Sequence, residues 1–189
     1  MSGDAAFDTE PLIRRASTND AEAIASVHTR TWQGAYRGQL PDRYLDGLSQ
    51  DMGQRTEMWR TQISNTRTAS HEVWVVATDK QLEGFVALGP ARDADASLIG
   101  EVYAIYVNPD CWGRGFGRRL FSHATNRLVA SGYSAAILWV LKSNARARGF
   151  YEIAGWAADG ATKLQTLPDG TELHEVRYRI SLARKNEES

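Results

Sequence analysis

The sequence predicts one α/β domain in which helices cover both sides of a mixed β-sheet. The predicted elements run strand, two helical segments, three strands, helix, strand, helix and two strands, an order typical of such a layered domain. The nearly all-apolar segment Ala135–Leu141 is typical of a strand buried on both faces. The six tryptophans are spread along a chain of 189 residues without repeats or a linker, which favours one shared core. We expect the domain at 12–182, between a flexible N-terminus (1–11) and a flexible charged tail (183–189).

The composition is that of an ordinary globular protein, with 42% hydrophobic and 24% charged residues. The net charge of -1 argues against nucleic acid as a partner, because nucleic-acid-binding domains usually carry a clear basic excess. The single cysteine, Cys111, excludes an intramolecular disulfide and a cysteine-based zinc site, and we expect no metal. The chain begins without a signal-like pattern and has no apolar run of membrane-spanning length. We therefore expect a cytoplasmic protein without a membrane partner.

The sequence at the start of the domain predicts a strand followed by a helix. Residues 12–16 read as a short strand, which a polar cluster at 17–20 ends. Apolar residues at helical spacing predict a helix from this cluster to about Gln33, followed by a break at 34–41 that is rich in aromatic residues, glycine and proline.

A further helical region and a β-hairpin follow. Residues 42–63 predict helix, although Gly47 and Gly53 argue against one continuous helix. Strong β-formers then predict two strands at 72–77 and 82–88, joined by a short polar turn.

The central stretch of the chain predicts a strand that feeds a glycine-rich loop. The strand spans about 98–107, and Asn, Pro and Asp at 108–110 stop it. Gly113, Gly115 and Gly117 then remove side chains from a loop that runs into a helix. Bare backbone amides at a helix N-terminus form a binding site for anions, above all for phosphate.

The remaining elements complete the sheet. The helix that begins in the glycine loop ends at Gly132, and the buried strand follows it. A short helix at 144–154 and a hairpin of strands at 156–165 and 172–182 close the domain.

Two common phosphate-binding motifs do not fit the glycine loop. A P-loop requires Gly-Lys-Ser/Thr, whereas Gly117 is followed by Arg118 and Arg119. A dinucleotide fingerprint requires Gly-x-Gly-x-x-Gly and an acidic residue about twenty positions later. Here the glycines are spaced two apart, and the next strand carries no acid.

Two other motifs resemble those of the GCN5-related N-acetyltransferase (GNAT) superfamily. Residues 112–117, Trp-Gly-Arg-Gly-Phe-Gly, resemble its cofactor motif Gln/Arg-x-x-Gly-x-Gly/Ala, with Trp112 in place of the usual Gln or Arg. Residues 144–151, Asn-Ala-Arg-Ala-Arg-Gly-Phe-Tyr, reproduce its Asn-x-x-Ala-x-x-x-Tyr element, and Gly155-Trp156 follow as its Gly-aromatic pair.

The resemblance covers residues 12–182 and implies the GNAT fold. That fold has a mixed sheet of about seven strands, flanked by about four helices and splayed between the fourth and fifth strands. The implied function is N-acetyl transfer from acetyl-CoA to a primary amine of a small molecule, by direct attack in a ternary complex. The alternatives are a protein N-terminal or lysine acetyltransferase and a non-catalytic acyl-CoA-binding sensor. A homodimer formed partly through the C-terminal hairpin is also implied.

The resemblance also implies where the donor binds. Its pantetheine arm would lie along the fourth strand and its pyrophosphate on the glycine loop. The predicted cofactor-binding residues are Ile105, Tyr106, Val107, Trp112, Gly113, Arg114, Gly115, Phe116, Gly117, Arg118, Asn144 and Tyr151.

Two residues are candidates for proton transfer. By resemblance, Tyr151 is the general acid that faces the departing sulfur; the alternative is a tyrosine packed in the core. Glu101 matches in position the general base of histone acetyltransferases and could act through water; the alternative is an ordinary carboxylate at a strand end. Because Glu101 lies four residues before Ile105, we expect both side chains on one face of the strand. Candidate acceptor-binding residues are Trp32, Tyr36, Tyr103 and His174.

Overall fold

The computed structural model describes residues 11–65, 71–93, 98–167 and 169–182. Apart from Pro11, the predicted flexible N-terminus and the charged tail lie outside the described residues. The described chain forms a seven-stranded sheet in the order β1-β2-β3-β4-β5-β7-β6. All neighbouring strands pair antiparallel except β4 and β5, which are parallel. The expected mixed sheet of seven strands is confirmed.

The strands and helices have the following bounds. The strands are β1 (Leu12–Arg15), β2 (Glu72–Ala77), β3 (Leu82–Pro90), β4 (Ile99–Val107), β5 (Ala135–Leu141), β6 (Ala157–Thr166) and β7 (Glu172–Ser181). The α-helices are α1 (Ala21–Tyr36), α2 (Asp42–Gly47), α3 (Met52–Asn65), α4 (Phe116–Ala130) and α5 (Ala145–Ile153). In the described part of the chain, none of the helices has the length and apolar character to cross a membrane.

The helices pack on the two faces of the sheet, as expected. On one face, the helix α4 and the residue Tyr151 of α5 form a core with apolar strand residues such as Val86 and Leu138. On the other face, α1 and α3 pack on strand residues that include Phe85. A third cluster joins the end of α1 and the helix α2 to the ends of β5 and β7. Burial of apolar surface on both faces holds the layers together.

The sheet opens between β4 and β5 at a β-bulge. These two strands pair over four positions, the last of which joins Val102 to Leu138. On the other side of β4, consecutive residues of β3 pair with Val102 and Ala104, so that Tyr103 is an extra residue between them. A bulge bends a strand and increases its twist. The bulge therefore lies where β4 leaves β5, and the predicted splay is confirmed.

The helix α1 is longer than predicted. It continues through Gly34 to Tyr36, whereas we expected a break from residue 34 onward. A Cβ atom on Gly34 would lie 3.2 Å from Cγ of Pro109, in the turn that follows β4. This glycine therefore permits a close approach between α1 and that turn, and the prediction that it breaks the helix was wrong.

The predicted helical region 42–63 consists of two helices. The first, α2, ends at Gly47, and α3 begins at Met52. Gly47 therefore ends a helix, as its low helix propensity suggested, whereas Gly53 lies inside α3. The described chain accordingly has five α-helices, one more than expected.

Candidate active site

A cleft of about 1670 Å³ is lined by residues from both diverging strands. Residues of α1, the glycine loop and α5 complete its walls. The structure brings together in this cleft all the predicted site residues except Glu101 and His174.

The backbone of β4 directs polar groups toward the opened side of the sheet. The amide of Asn108 donates to the carbonyl of Glu83 over 2.7 Å. Gly84 and Val107 are the pair next to this bond, and in an antiparallel ladder such a pair is not itself hydrogen-bonded. The amide and carbonyl groups of Gly84 therefore point away from β4, and those of Val107 point away from β3. By alternation, Ile105 does the same. Both residues therefore present backbone groups to the side that β5 has left.

One of these groups already has protein partners. The carbonyl of Val107 accepts from the indole nitrogen of Trp112 over 2.8 Å and from the hydroxyl of Thr31 over 3.1 Å. The guanidinium of Arg146 lies 3.9 Å from the centre of the Trp112 ring. Trp112 stands where the resembled motif has Gln or Arg. Its indole hydrogen bond holds the glycine loop against the end of β4. A ligand along this strand would find the backbone of Ile105 and the amide of Val107 more accessible than this carbonyl.

Two glycines of the loop have a backbone that other residues rarely adopt. Gly113 has φ of 82° and Gly115 has φ of 85°, and Gly115 is the N-cap of α4. A side chain in this left-handed region costs roughly 1–2 kcal/mol. These glycines therefore form the turn that aims the N-terminus of α4 at the cleft.

The third glycine lies in the first turn of α4. A Cβ atom on Gly117 would lie 3.8 Å from its nearest neighbours, which include Phe150, so the packing of the protein does not itself require glycine there. Helix geometry leaves first-turn amides such as those of Gly117 and Arg118 without acceptors inside the helix, at the positive end of its dipole. With Arg114 and Arg118 in the lining, this end of the cleft fits a pyrophosphate.

Tyr151 lies at the inner wall of the cleft. It is 8% exposed and packs against the rings of Phe121 and Phe150. Burial raises the pKa of its hydroxyl well above the ordinary value for tyrosine. The hydroxyl is therefore neutral over the working pH range of most enzymes and can donate a proton or a hydrogen bond.

Two other tyrosines receive hydrogen bonds from groups that can only donate. The side-chain oxygen of Asn144 accepts from the amide of Ala147 over 3.0 Å, so its nitrogen faces and donates to the hydroxyl of Tyr36 over 3.3 Å. The indole of Trp32 donates to the hydroxyl of Tyr106 over 3.0 Å. Burial raises the pKa of both tyrosines. Their own protons must therefore point to other acceptors.

Glu101 is 1% exposed and lies outside the lining of the cleft. Both of its carboxylate oxygens accept from the guanidinium of Arg92, and one also accepts from the Arg92 amide over 3.0 Å. Ile105 packs in the same cluster as Val102, the immediate neighbour of Glu101, so Glu101 and Ile105 lie on opposite faces of β4. Our expectation of a shared face was wrong because the bulge at Tyr103 interrupts the alternation. The assignment of Glu101 as the base stays a prediction.

Of two predicted acceptor residues, Tyr103 lies in the cleft and His174 lies outside it. Tyr103 lines the cleft, but its hydroxyl donates to the carbonyl of Pro90 and its ring lies 4.7 Å below the guanidinium of Arg92. His174 is exposed, lies 3.5 Å from Glu172, and belongs to a separate shallow depression on the surface.

Three residues of the wall formed by β5, β6 and β7 were not predicted from the sequence. The carboxylate of Glu175 lies 3.2 Å from the ammonium of Lys163, which lies 4.3 Å from the centre of the Trp139 ring. All three line the cleft. The sequence carries one signal, because Glu175 is two positions after Leu173 in the last strand and so shares its face. The register that brings this face to the cleft cannot be read from the sequence.

In the described ranges, no group of three or more His, Cys, Asp or Glu side chains is arranged to hold a metal ion.

Comparison with known proteins identifies the family of the chain. The model of the acetyltransferase (GNAT) family matches residues 30–156, which is more than half of the chain. Together with the splayed sheet and the glycine loop, this match defines the class of protein as an acetyltransferase. The chain belongs to the acetyltransferase (GNAT) family.

Relatives and solved structures are similar over most of the chain. An uncharacterized N-acetyltransferase of Bacillus subtilis is 29% identical over 133 residues, 70% of this chain and 72% of the relative. A probable N-acetyltransferase of Mycobacterium tuberculosis is 29% identical over 171 residues, 89% of this chain and 92% of the relative. The PaiA N-acetyltransferase from Thermoplasma acidophilum, crystallised with coenzyme A, superimposes with a TM-score of 0.71 at 17% identity and covers 92% of this chain and 99% of its own.

Proposed function

We propose that this enzyme transfers an acetyl group to a primary amine of a small molecule by direct attack in a ternary complex. The donor is acetyl-CoA, which supplies the acetyl group as a thioester. The observation that carries the proposal is the divergence of β4 from β5, because it exposes the backbone of Ile105 in a cleft that Tyr151 and the first residues of α4 also line.

The contacts along β4 support binding of an extended, amide-containing arm. Ile105 and Val107 offer backbone groups of the kind that an added strand would use. The N-terminus of α4, with Gly117 and Arg118, supports binding of the diphosphate by backbone amides and positive charge.

Tyr151 is suited to the role of general acid. Acetyl transfer leaves a thiolate that must be protonated or stabilised, and a buried phenol with a raised pKa keeps its proton for that step. The acceptor amine must in turn lose a proton. Glu101 could serve only at a distance and through water, because Arg92 binds both of its oxygens.

The acceptor side of the cleft favours a small molecule. Trp32, Tyr36 and Tyr103 line it, and α1 and α2 pack over the ends of β5 and β7. Concave sites rich in aromatic side chains with a few polar groups are typical of small-molecule pockets. The homodimer implied by the resemblance stays a prediction.

Steady-state release of coenzyme A thiol tests this proposal. The acceptors would be benzylamine, tyramine, putrescine, spermidine and a short peptide with a free N-terminus, and binding of coenzyme A would be measured by calorimetry in parallel. We expect amine-dependent thiol release with at least one small amine. Tight coenzyme A binding without turnover of any amine would contradict an enzymatic role, and turnover of the peptide alone would favour a protein acetyltransferase.

A further inference from the structure

The wall of the cleft opposite α1 carries one carboxylate, that of Glu175, whose direction is fixed by the strand register. Glu175 pairs with Leu141 of β5, so both side chains lie on the same face of the sheet. Leu141 and Leu173 on this face pack in one cluster with Tyr36 of α1. The side chain of Glu175 therefore points to the α1 side of the sheet, where it lines the cleft.

The partner of Glu175 is a primary ammonium group. The Lys163 ammonium lies 3.2 Å from the carboxylate and 4.3 Å from the centre of the Trp139 ring, a combination of ion pair and cation–π contact. The side chain of Glu175 is 17% exposed, whereas that of Lys163 is 39% exposed. The carboxylate is thus the more buried partner of the wall, and the ammonium that binds it is the more accessible to solvent.

On the other side of the cleft, two tyrosine hydroxyls offer further oxygen atoms to a bound cation. Tyr36 and Tyr106 accept from Asn144 and Trp32, and a hydroxyl oxygen has a second lone pair for another donor. Glu175 and both tyrosines line the same cleft, and Tyr36 packs in one cluster with Leu141 and Leu173, whose side chains share the sheet face of Glu175. A carboxylate, two hydroxyl oxygens and aromatic faces match the chemistry of a protonated primary amine.

We propose that Glu175 binds the ammonium group of the acceptor, and that Lys163 occupies the same carboxylate when no acceptor is bound. The inference rests on the proposed function, because it specifies how the same cleft recognises its amine. When the acceptor ammonium replaces that of Lys163, the carboxylate still has one ammonium partner. The exchange therefore does not leave a largely buried negative charge unpaired.

The test measures amine affinity in variants that break the same ion pair from opposite ends. The probe is the amine of the panel above with the highest turnover, titrated by calorimetry into the protein loaded with coenzyme A. Glu175→Gln should weaken amine binding by about tenfold or more and raise the KM for the amine equally, with the KM for acetyl-CoA unchanged. Lys163→Met leaves the carboxylate charged and removes its competitor, so it should tighten amine binding by about threefold.

The two variants separate recognition from a merely structural ion pair. If the pair only stabilises β6 and β7, both substitutions should shift amine affinity in the same direction, and that outcome overturns the proposal. Unchanged affinity in Glu175→Gln also overturns it. Should Glu175→Gln fail to fold, Lys163→Met decides alone, since unchanged or weaker binding contradicts competition.

Glu172→Gln is the matched control. It removes the same charge from the same strand, at an exposed position outside the cleft, and should behave as the wild type. Absence of turnover with every amine rejects the proposed function, and this inference with it. Normal turnover with unaltered affinity in Glu175→Gln rejects this inference alone.

Discussion

The side chain of Asn144 connects the two helices that hold the tyrosines of the cleft. Its oxygen caps α5 through the amide of Ala147, over 3.0 Å, and its nitrogen donates to the hydroxyl of Tyr36 on α1, over 3.3 Å. One amide therefore starts the helix that carries Tyr151 and orients the phenol on the opposite helix. The motif that resembles a cofactor-binding element thus has an internal structural role as well.

Substitution of Asn144 should separate these two roles. Asn144→Asp keeps an oxygen that can cap α5 but removes the donor to Tyr36, so we expect near-normal stability and a kcat that is several-fold lower. Asn144→Ala loses both contacts and should also lower the free energy of unfolding by about 1 kcal/mol. Denaturant unfolding and steady-state kinetics measure the two effects. Equal stability of Asn144→Ala and the wild type would contradict the capping role.

Alanine at two glycines should affect folding and donor binding differently. Gly115→Ala places a side chain at φ of 85° and should lower the free energy of unfolding by about 1–2 kcal/mol. Gly117→Ala has room in the protein and an ordinary helical backbone, so stability should be retained. If coenzyme A lies against the first turn of α4, calorimetry should show weaker binding in Gly117→Ala. Unchanged affinity in this variant would place the phosphates elsewhere.

Removal of the Tyr151 hydroxyl should impair chemistry more than binding. Tyr151→Phe keeps the packed ring, so the protein should stay folded with a similar KM for acetyl-CoA, whereas kcat should fall by about a hundredfold. Tyr178→Phe is the control, because Tyr178 belongs to the same cluster but donates to Glu152 outside the cleft. A kcat for Tyr151→Phe equal to that of the control would remove Tyr151 as the general acid.

His28 should make the folded protein sensitive to mild acid. Burial lowers the pKa of its ring from 6.5 to about 3, and its Nδ1 accepts from the indole of Trp59 over 3.3 Å. Between these two values the unfolded chain binds a proton that the folded protein excludes. The contribution of His28 is therefore fully present above about pH 6.5 and is lost as the pH falls toward 3.

The free energy of unfolding between about pH 6 and pH 4 checks this effect. The wild type should lose up to about 1.4 kcal/mol per pH unit more than His28→Gln, which has no proton to bind. Parallel curves for the wild type and His28→Gln would show that His28 is not buried in its neutral form.

Local patterns in the sequence predicted most of the fold. Alternating β-formers, the stop at 108–110 and the glycine spacing depend on neighbours in the chain, and each gave an element close to its observed bounds. Gly34 was misread because its role depends on a tertiary contact with Pro109, which lies far away in sequence. Low helix propensity is a weak signal compared with such packing.

The site was predicted where motifs mark it and missed where strand register creates it. The glycine loop and the Asn144–Tyr151 spacing are local, and the structure brings both to one cleft. Glu175 reaches the same cleft only through the pairing of β7 with β5, and Arg92 reaches Glu101 from the segment that follows β3. The extra residue at Tyr103 reverses the faces of β4, and a bulge cannot be read from alternation alone.

Mass spectrometry of products formed from acetyl-CoA carrying a ¹³C-labelled acetyl group tests the central claim most directly. The enzyme would receive the amine panel and the peptide together. We expect a labelled acetamide on a small primary amine, formed in equal amount with coenzyme A and about a hundredfold more slowly in Tyr151→Phe. Coenzyme A binding without any labelled amide, or label on the peptide alone, would contradict it.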